Sequence, residues 1–182
     1  MLSRNEKALR ATLVLLALLG CVPLGRAQQT AKINTEYVMT LYAPLDAPQV
    51  MDNNLFVYNV LPGGTVTGKV NGKLLPPCGD WLRLMPSGNY RLDVRCSIQT
   101  DDEQLIFVEY SGVVKPTKET NAKYEKGEDE IKADEQYFLT APTFRTSSPK
   151  YAWLNDAQFI GKAIGVHGGK KSFVKYDWFI VR

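Results

Sequence analysis

The sequence predicts an all-β protein whose strands run antiparallel and close into a sandwich or barrel. Three observations carry this. Nine short runs are rich in Val, Ile, Tyr, Phe, Trp and Thr, the residues that suit a pleated, half-buried surface. Turn signals separate them, namely "PGG" at 62–64, "NG" at 71–72, "PSGN" at 86–89, "TDDEQ" at 100–104 and "HGGKK" at 167–171. No internal repeat and no alternation of strands with helical patterns is present, which argues against a parallel α/β sheet.

In chain order, the first strand is expected over 35–43 ("TEYVMTLYA"), followed by 54–61 ("NLFVYNVL"). The Gly-rich turn at 62–64 leads into 64–71, and "NG" ends it. Strands at 79–85, 90–99 and 104–114 form a meander through "PSGN" and "TDDEQ". Three more are expected at 137–146, 151–164 and 172–181. Between the sixth and seventh lies "KPTKETNAKYEKGEDEIKADEQ" (115–136), almost wholly polar and charged. It reads as a solvated loop with room for a short helix, or as a lid over a pocket, since a loop this long is either functional or disordered. The domain organisation expected is therefore a leader at 1–27 and one β domain at 28–182.

The leader has the three-part form of a secretory signal peptide. "MLSRNEKALR" is basic, "ATLVLLALLG" is apolar, and "CVPLGRAQQ" offers small residues before a cut placed after Ala27. The apolar run is shorter than the roughly 20 residues that span a bilayer. A rival reading takes "LLGC" as a lipobox and puts a lipid anchor on Cys21. The 182-residue chain carries a formal charge of +3, and the leader alone carries four basic residues against one acidic. The remainder is thus near neutral, without the basic footprint that nucleic-acid binding needs. Export also allows a disulfide between Cys78 and Cys96.

Residues 91–110 are the densest stretch. Alternation places Tyr90, Leu92, Val94, Cys96 and Ile98 on one face and Arg91, Asp93, Arg95, Ser97 and Gln99 on the other. Pairing through the acidic turn sets Ile98 against Ile106, Cys96 against Val108, Val94 against Tyr110 and Arg95 against Glu109. Pairing back through "PSGN" is expected to set Arg83 against Asp93 and Trp81 against Arg95, since the next register would oppose Arg83 to Arg91. Cys78 and Cys96 then share a face, about one diagonal apart. The charged face has two readings. Outside the barrel, it specifies strand register or meets another subunit of a homo-oligomer. Inside, Arg95 would bind an anionic or carbonyl group with Glu109 as its partner.

Catalytic motifs are few. His167, the only histidine, sits in a glycine turn and supports neither a metal site nor a catalytic triad. "PGGTVTGKVNG" lacks the phosphate-cradling GxxxxGK[ST] spacing. Asp101 and Asp102 are adjacent and fit a turn-capping role. No cofactor or metal is expected.

Four blocks in order, "GGTVTGKVNGKLLPPCGDW" (63–81), "YRLDVRCSIQTDD" (90–102), "YFLTAPTFRTSSPKYAWLN" (137–155) and "YDWFIV" (176–181), resemble the domain-of-unknown-function family 3237. The resemblance implies a single closed antiparallel β-barrel, calycin-like, of about eight to ten strands. It points to Asp80, Trp81, Asp93, Arg95, Thr100, Asp101, Asp102, Trp153, Leu154 and Asn155. From these and the charged face, the candidate ligand-binding residues are Asp80, Trp81, Asp93, Arg95, Asp102, Glu109, Trp153 and Asn155. Glu103 stands where the family pattern has Gly, which implies a somewhat different turn. The expected function is an exported barrel holding an apolar or aromatic small molecule. The alternatives are a cofactor-independent isomerase, cyclase or lyase using acid–base chemistry, or a non-catalytic assembly or envelope protein.

Overall fold

A computed structural model describes residues 30–127 and 129–182. The leader, with its cut after Ala27 and the lipid alternative at Cys21, lies outside the described residues. The strands are β1 (Thr35–Pro44), β2 (Gln49–Val50), β3 (Leu55–Asn59), β4 (Thr65–Gly68), β5 (Gly72–Leu84), β6 (Tyr90–Thr100), β7 (Leu105–Lys115), β8 (Ile131–Lys132), β9 (Tyr137–Arg145), β10 (Phe159–His167) and β11 (Phe173–Val181). One helix, α1 (Lys118–Lys126), lies between β7 and β8.

Eight strands close an antiparallel barrel in the order β5-β4-β1-β11-β10-β9-β7-β6, with β6 returning to β5. The first and last strands pair along their whole length, from Thr35 opposite Val181 to Pro44 opposite Phe173. Closure leaves no long free edge in the ring. β3 lies beside the second half of β5, with β2 outside it, and β8 adds to β10.

The inner face follows the alternation of the sequence. On β6, Leu92, Val94, Cys96 and Ile98 are buried while Arg91 and Arg95 are exposed. The β6–β7 register is the expected one, with Ile98 opposite Ile106, Val94 opposite Tyr110 and Arg95 opposite Glu109. A one-residue slip would turn the apolar set outward, so burial enforces it.

The β5–β6 register differs from expectation. Arg83 faces Arg91, not Asp93, and Arg95 faces Gly79. The turn decides this. Met85 donates its backbone N–H to Asn89 O at 2.8 Å, and Gly88 donates to Met85 O at 2.9 Å with φ of 78°. Glycine adopts that φ at no steric cost, and the turn so formed fixes the pairing. Both arginines are exposed, so their repulsion is screened and yields to turn geometry. The same shift brings Cys78 directly opposite Cys96, where they form a disulfide with Cα atoms 4.2 Å apart.

β5 starts at Gly72, seven residues before the expected strand. Between Leu75 and Gly79 its register against β6 shifts, and the exposed Pro76 and Pro77 sit in the resulting bulge. Proline has no ladder donor, so the strand continues only by bulging there. The strand expected over 151–164 is also shorter. Pro149–Leu154 is a 3-10 helix, and β10 begins at Phe159. Pro149 favours a helical first turn. Asn155 then ties the segment back to Thr146, accepting from its N–H and donating to its carbonyl, both at 2.9 Å.

Aromatic side chains fill one end of the barrel. Phe144 meets Phe159 edge-on at 4.9 Å and Trp178 at 5.5 Å. Trp178 has no solvent exposure, and a Cβ at Gly161 would lie 2.4 Å from its ring, so glycine makes room for the indole. Tyr110 and Tyr176 form the next layer, with centroids 5.7 Å apart. Beyond them the interior is hollow.

The charged segment 115–136 holds the short helix for which the sequence left room, but it is not wholly solvated. It buries Thr120 and Ile131 and sets Tyr124 against the core. Thr117 caps α1 in a reciprocal box with Thr120, and Gly127 ends it at φ of 61°. Lys123 pairs with Glu135, and β8 fastens the return to β10. Three side chains at the right spacing are enough to dock a segment of otherwise polar composition.

Candidate functional site

The hollow end is a cavity of about 280 Å³, near the lower end of the roughly 300 to 1,000 Å³ typical of ligand pockets. Its walls are mostly apolar, among them Phe56, Leu82, Leu92, Val94, Phe138 and Val166. α1 closes one side with Thr120, Asn121 and Tyr124. The Tyr124 hydroxyl shares a hydrogen bond of 3.0 Å with that of Tyr58, so the helix is fastened to β3 across the cavity wall.

Among the 25 lining residues, Asp80 is the only carboxylate, and none is Lys, Arg or His. Asp80 stands between Tyr58 on β3 and Val94 on β6, both inward-facing. Its Oδ1 accepts the backbone N–H of Asp93 at 3.0 Å, and among the described residues no donor reaches Oδ2. Burial raises its carboxyl from the ordinary 3.8 to about 7; the Asp93 amide opposes the rise and the Asp93 charge adds to it. The surrounding phenols are pushed up as well. Burial is the main cause for Tyr58, Tyr90, Tyr110 and Tyr176, and the Asp80 charge contributes at Tyr58, Tyr110 and Tyr176. A carboxyl near neutrality, in an apolar enclosure ringed by neutral phenols, accepts a hydrogen bond when ionised and donates one when protonated.

The residues expected from the sequence divide into three places. Asp80 alone lines the cavity. Trp81, Asp93, Arg95 and Glu109 lie on the outer wall, where Arg95 pairs with Asp93 at 3.3 Å and stacks over Trp81 at 5.9 Å. The Arg95 side chain is 52% exposed, so the charged face is the outside of the barrel. Arg95 and Glu109 are register partners, yet the ion pair of Arg95 is with Asp93.

Asp102, Trp153 and Asn155 belong to a third cluster. Asp102 accepts from Thr100 at 2.6 Å, Lys150 at 2.7 Å and Tyr151 at 3.0 Å. These bonds, that of Lys150 foremost, hold its carboxyl below the usual range. They tie the 100–104 turn to the 3-10 helix that carries Trp153, whose ring lies 6.2 Å from Phe159. Leu154 is in the core. Glu103 takes φ of 63°, so the turn has the left-handed conformation the family glycine would permit, contrary to the different turn expected.

The sequence reading missed Tyr58, Tyr110, Tyr124 and Tyr176. Tyr110 was placed on the inner face, but an inward tyrosine looks the same in sequence whether it packs a core or rims a cavity. Among the described residues, no group of three or more His, Cys, Asp or Glu is arranged to hold a metal ion. No described helix is long and apolar enough to cross a membrane.

Fold and cavity together define a small closed β-barrel with a ligand-sized space at one end. The chain belongs to the DUF3237 family, described as proteins of unknown function, whose model matches residues 33–181. A UPF0311 protein of Bradyrhizobium diazoefficiens is 31% identical over 137 residues, covering 74% of this chain and 90% of that one. The crystal structure of a conserved protein of unknown function from Rhodopseudomonas palustris superposes with a TM-score of 0.75 at 27% identity, covering 84% of this chain and 99% of that one. A β-barrel-like protein from Acinetobacter baumannii gives 0.65 at 26% identity, covering 85% and 99%. A structure described as an enzyme from Penicillium herquei shares the fold at 0.54 and 19% identity, covering 84% and 97%.

Proposed function

We propose that the protein is an exported β-barrel that binds a small, mainly apolar or aromatic molecule in the cavity beneath α1. The observation that carries this is the cavity itself, apolar walls around one partly buried carboxylate whose Oδ2 takes no hydrogen bond from the described residues. An apolar pocket with a few convergent polar groups is the usual form of a small-molecule site. The volume of about 280 Å³ accommodates a bicyclic aromatic. Export is supported by the tripartite leader and by the Cys78–Cys96 disulfide, since such bonds persist in oxidising compartments. Intact mass of the protein from its native host, beginning at Gln28 and lacking two hydrogens for the disulfide, is the result expected.

Titration with indole and naphthalene, followed by methyl-resolved NMR, tests the binding. Shifts should concentrate at Leu82, Leu92, Val94 and Val166, which line the cavity, and spare the exposed Leu105. Shifts confined to outer residues, or none with either compound, would overturn the reading.

A second reading, acid–base catalysis, is favoured by the Asp80 carboxyl lying near pH 7, where a general acid or base is most effective. Asp80 would take or give the proton at Oδ2, with Tyr58 and Tyr110 as neutral donors to a developing oxyanion. Turnover of a bound compound that Asp80→Asn abolishes without loss of binding is the outcome expected of an enzyme; binding without turnover leaves the carrier.

A further inference from the structure

We infer that the cavity selects a cationic ligand, an aromatic organic amine whose ammonium group pairs with Asp80 and whose apolar body lies among the tyrosines. This rests on the cavity being a binding site and goes on to name its ligand class.

The first argument is the donor and acceptor inventory. An ionised carboxylate only accepts hydrogen bonds. One oxygen of Asp80 is taken by the Asp93 amide, and the other receives no hydrogen bond from the described residues, in a side chain that lines the cavity. A ligand that satisfies it must bring a donor. While Asp80 is ionised, that disfavours hydrocarbons, ethers and carboxylates relative to a donor.

The second argument decides between a neutral donor and a charged one. A buried charge without a counter-charge is costly, and a hydrogen bond alone offsets only part of that cost. The wall supplies no Lys, Arg or His as counter-charge. Asp93, behind Asp80, is paired with Arg95 on the outer wall, so the uncompensated charge at the cavity is that of Asp80 itself when ionised. The local field therefore favours a cation and repels an anion. An ammonium completes both the hydrogen bond and the charge balance, and a charge-assisted bond is about twice as strong as a neutral one.

The third argument is the wall. Tyr58, Tyr90, Tyr110, Tyr124 and Tyr176 line the cavity together with Phe56 and Phe138. Aromatic enclosures attract cations through the ring quadrupole while still burying an apolar body. One carboxylate within such an enclosure matches an ammonium joined to an aromatic ring by a short linker.

The test compares ligands that differ only in the head group. Tryptamine, its alcohol counterpart tryptophol and the anionic indole-3-acetate are titrated calorimetrically into the disulfide-bonded protein and its Asp80→Asn variant, at a pH above the Asp80 range. Phenethylamine and 2-phenylethanol serve as a smaller pair. The expectation is that each amine binds at least about tenfold more tightly than its alcohol, as a charge-assisted bond implies, with the acid weakest. In Asp80→Asn the preference of each amine over its alcohol should disappear. Alcohols that bind as well as the amines, or an amine preference that survives in Asp80→Asn, would overturn the amine assignment and leave the cavity a site for neutral ligands. Failure of all five compounds, with none of the NMR shifts expected for indole, would overturn the binding reading and this inference with it.

Discussion

The backbone N–H of Asp93 donates to Asp80 Oδ1 at 3.0 Å, joining two acids on neighbouring strands whose side chains face opposite sides of the barrel wall. Asp93 spends its own carboxylate on Arg95 outside, while Asp80 is partly buried and lines the cavity. One wall thus carries an ordinary surface ion pair and, a single strand away, an acid held far from its ordinary ionisation.

The linkage is testable. The folded protein keeps the Asp80 proton up to about pH 7, whereas the unfolded chain releases it near 3.8. Between these values the folded state binds more protons, so stability is greatest below the lower value and is lost as pH rises to the upper one. The neighbouring phenols of Tyr58, Tyr90, Tyr110 and Tyr176 are raised above their ordinary range and do not titrate in this window. Asp80→Asn should match the parent at pH 4 and be more stable at pH 8 by on the order of 2–4 kcal/mol, given 1.36 kcal/mol per pKa unit. Urea unfolding at both pH values measures it, and an equal loss at both would refute the burial argument.

Tyr124→Phe removes the hydroxyl that joins α1 to Tyr58. A hydrogen bond of this kind contributes about 1 kcal/mol net, so the helix should open more often while the barrel holds. Faster amide exchange in Lys118–Lys126, with β6 and β7 unchanged, is the expected pattern.

On the outer wall, Arg95→Ala and Glu109→Ala should each cost under about 1 kcal/mol, as charges on a solvated face do. Their double-mutant cycle should show coupling near zero, because Arg95 is engaged with Asp93 and Trp81. Neither change should alter ligand affinity. Coupling above about 1 kcal/mol would mean that the two residues pair directly.

Glu103 holds φ of 63°, a conformation that costs a side-chain-bearing residue roughly 1–2 kcal/mol. Glycine relieves that strain but loses more chain entropy on folding, so Glu103→Gly should stabilise by up to about 1 kcal/mol. Thermal unfolding would detect this as a rise of a few degrees.

The parts of the fold legible in the sequence were those set by local patterns. A period of two assigned the faces of β6 and β7, and the tight turn between them left one register that kept both apolar sets inward. Helix α1 also had a readable signature, Thr117 before it, lysines in its last turn and Gly127 after it, although the polar composition drew attention to the loop instead. The β5–β6 register was less legible, because cross-strand charge pairing and turn geometry favour different registers, and for exposed arginines the turn prevails.

By itself, then, the sequence determined an all-β chain, the inward and outward residues of its meander, the cysteines able to bridge, and the family pattern that includes Asp80. Those follow from side-chain alternation and turn chemistry, which act over a few residues. Only the tertiary structure decided which inward residues pack and which surround empty space. Trp178 and Phe144 fill one end of the barrel because β9 and β11 bring them within 5.5 Å of each other, whereas Tyr58 and Tyr176, equally inward, line the cavity at the other. That distinction depends on strands far apart in the chain closing into a ring, and it is closure that draws Asp80 partly out of water and sets one acid of the family pattern among the cavity walls.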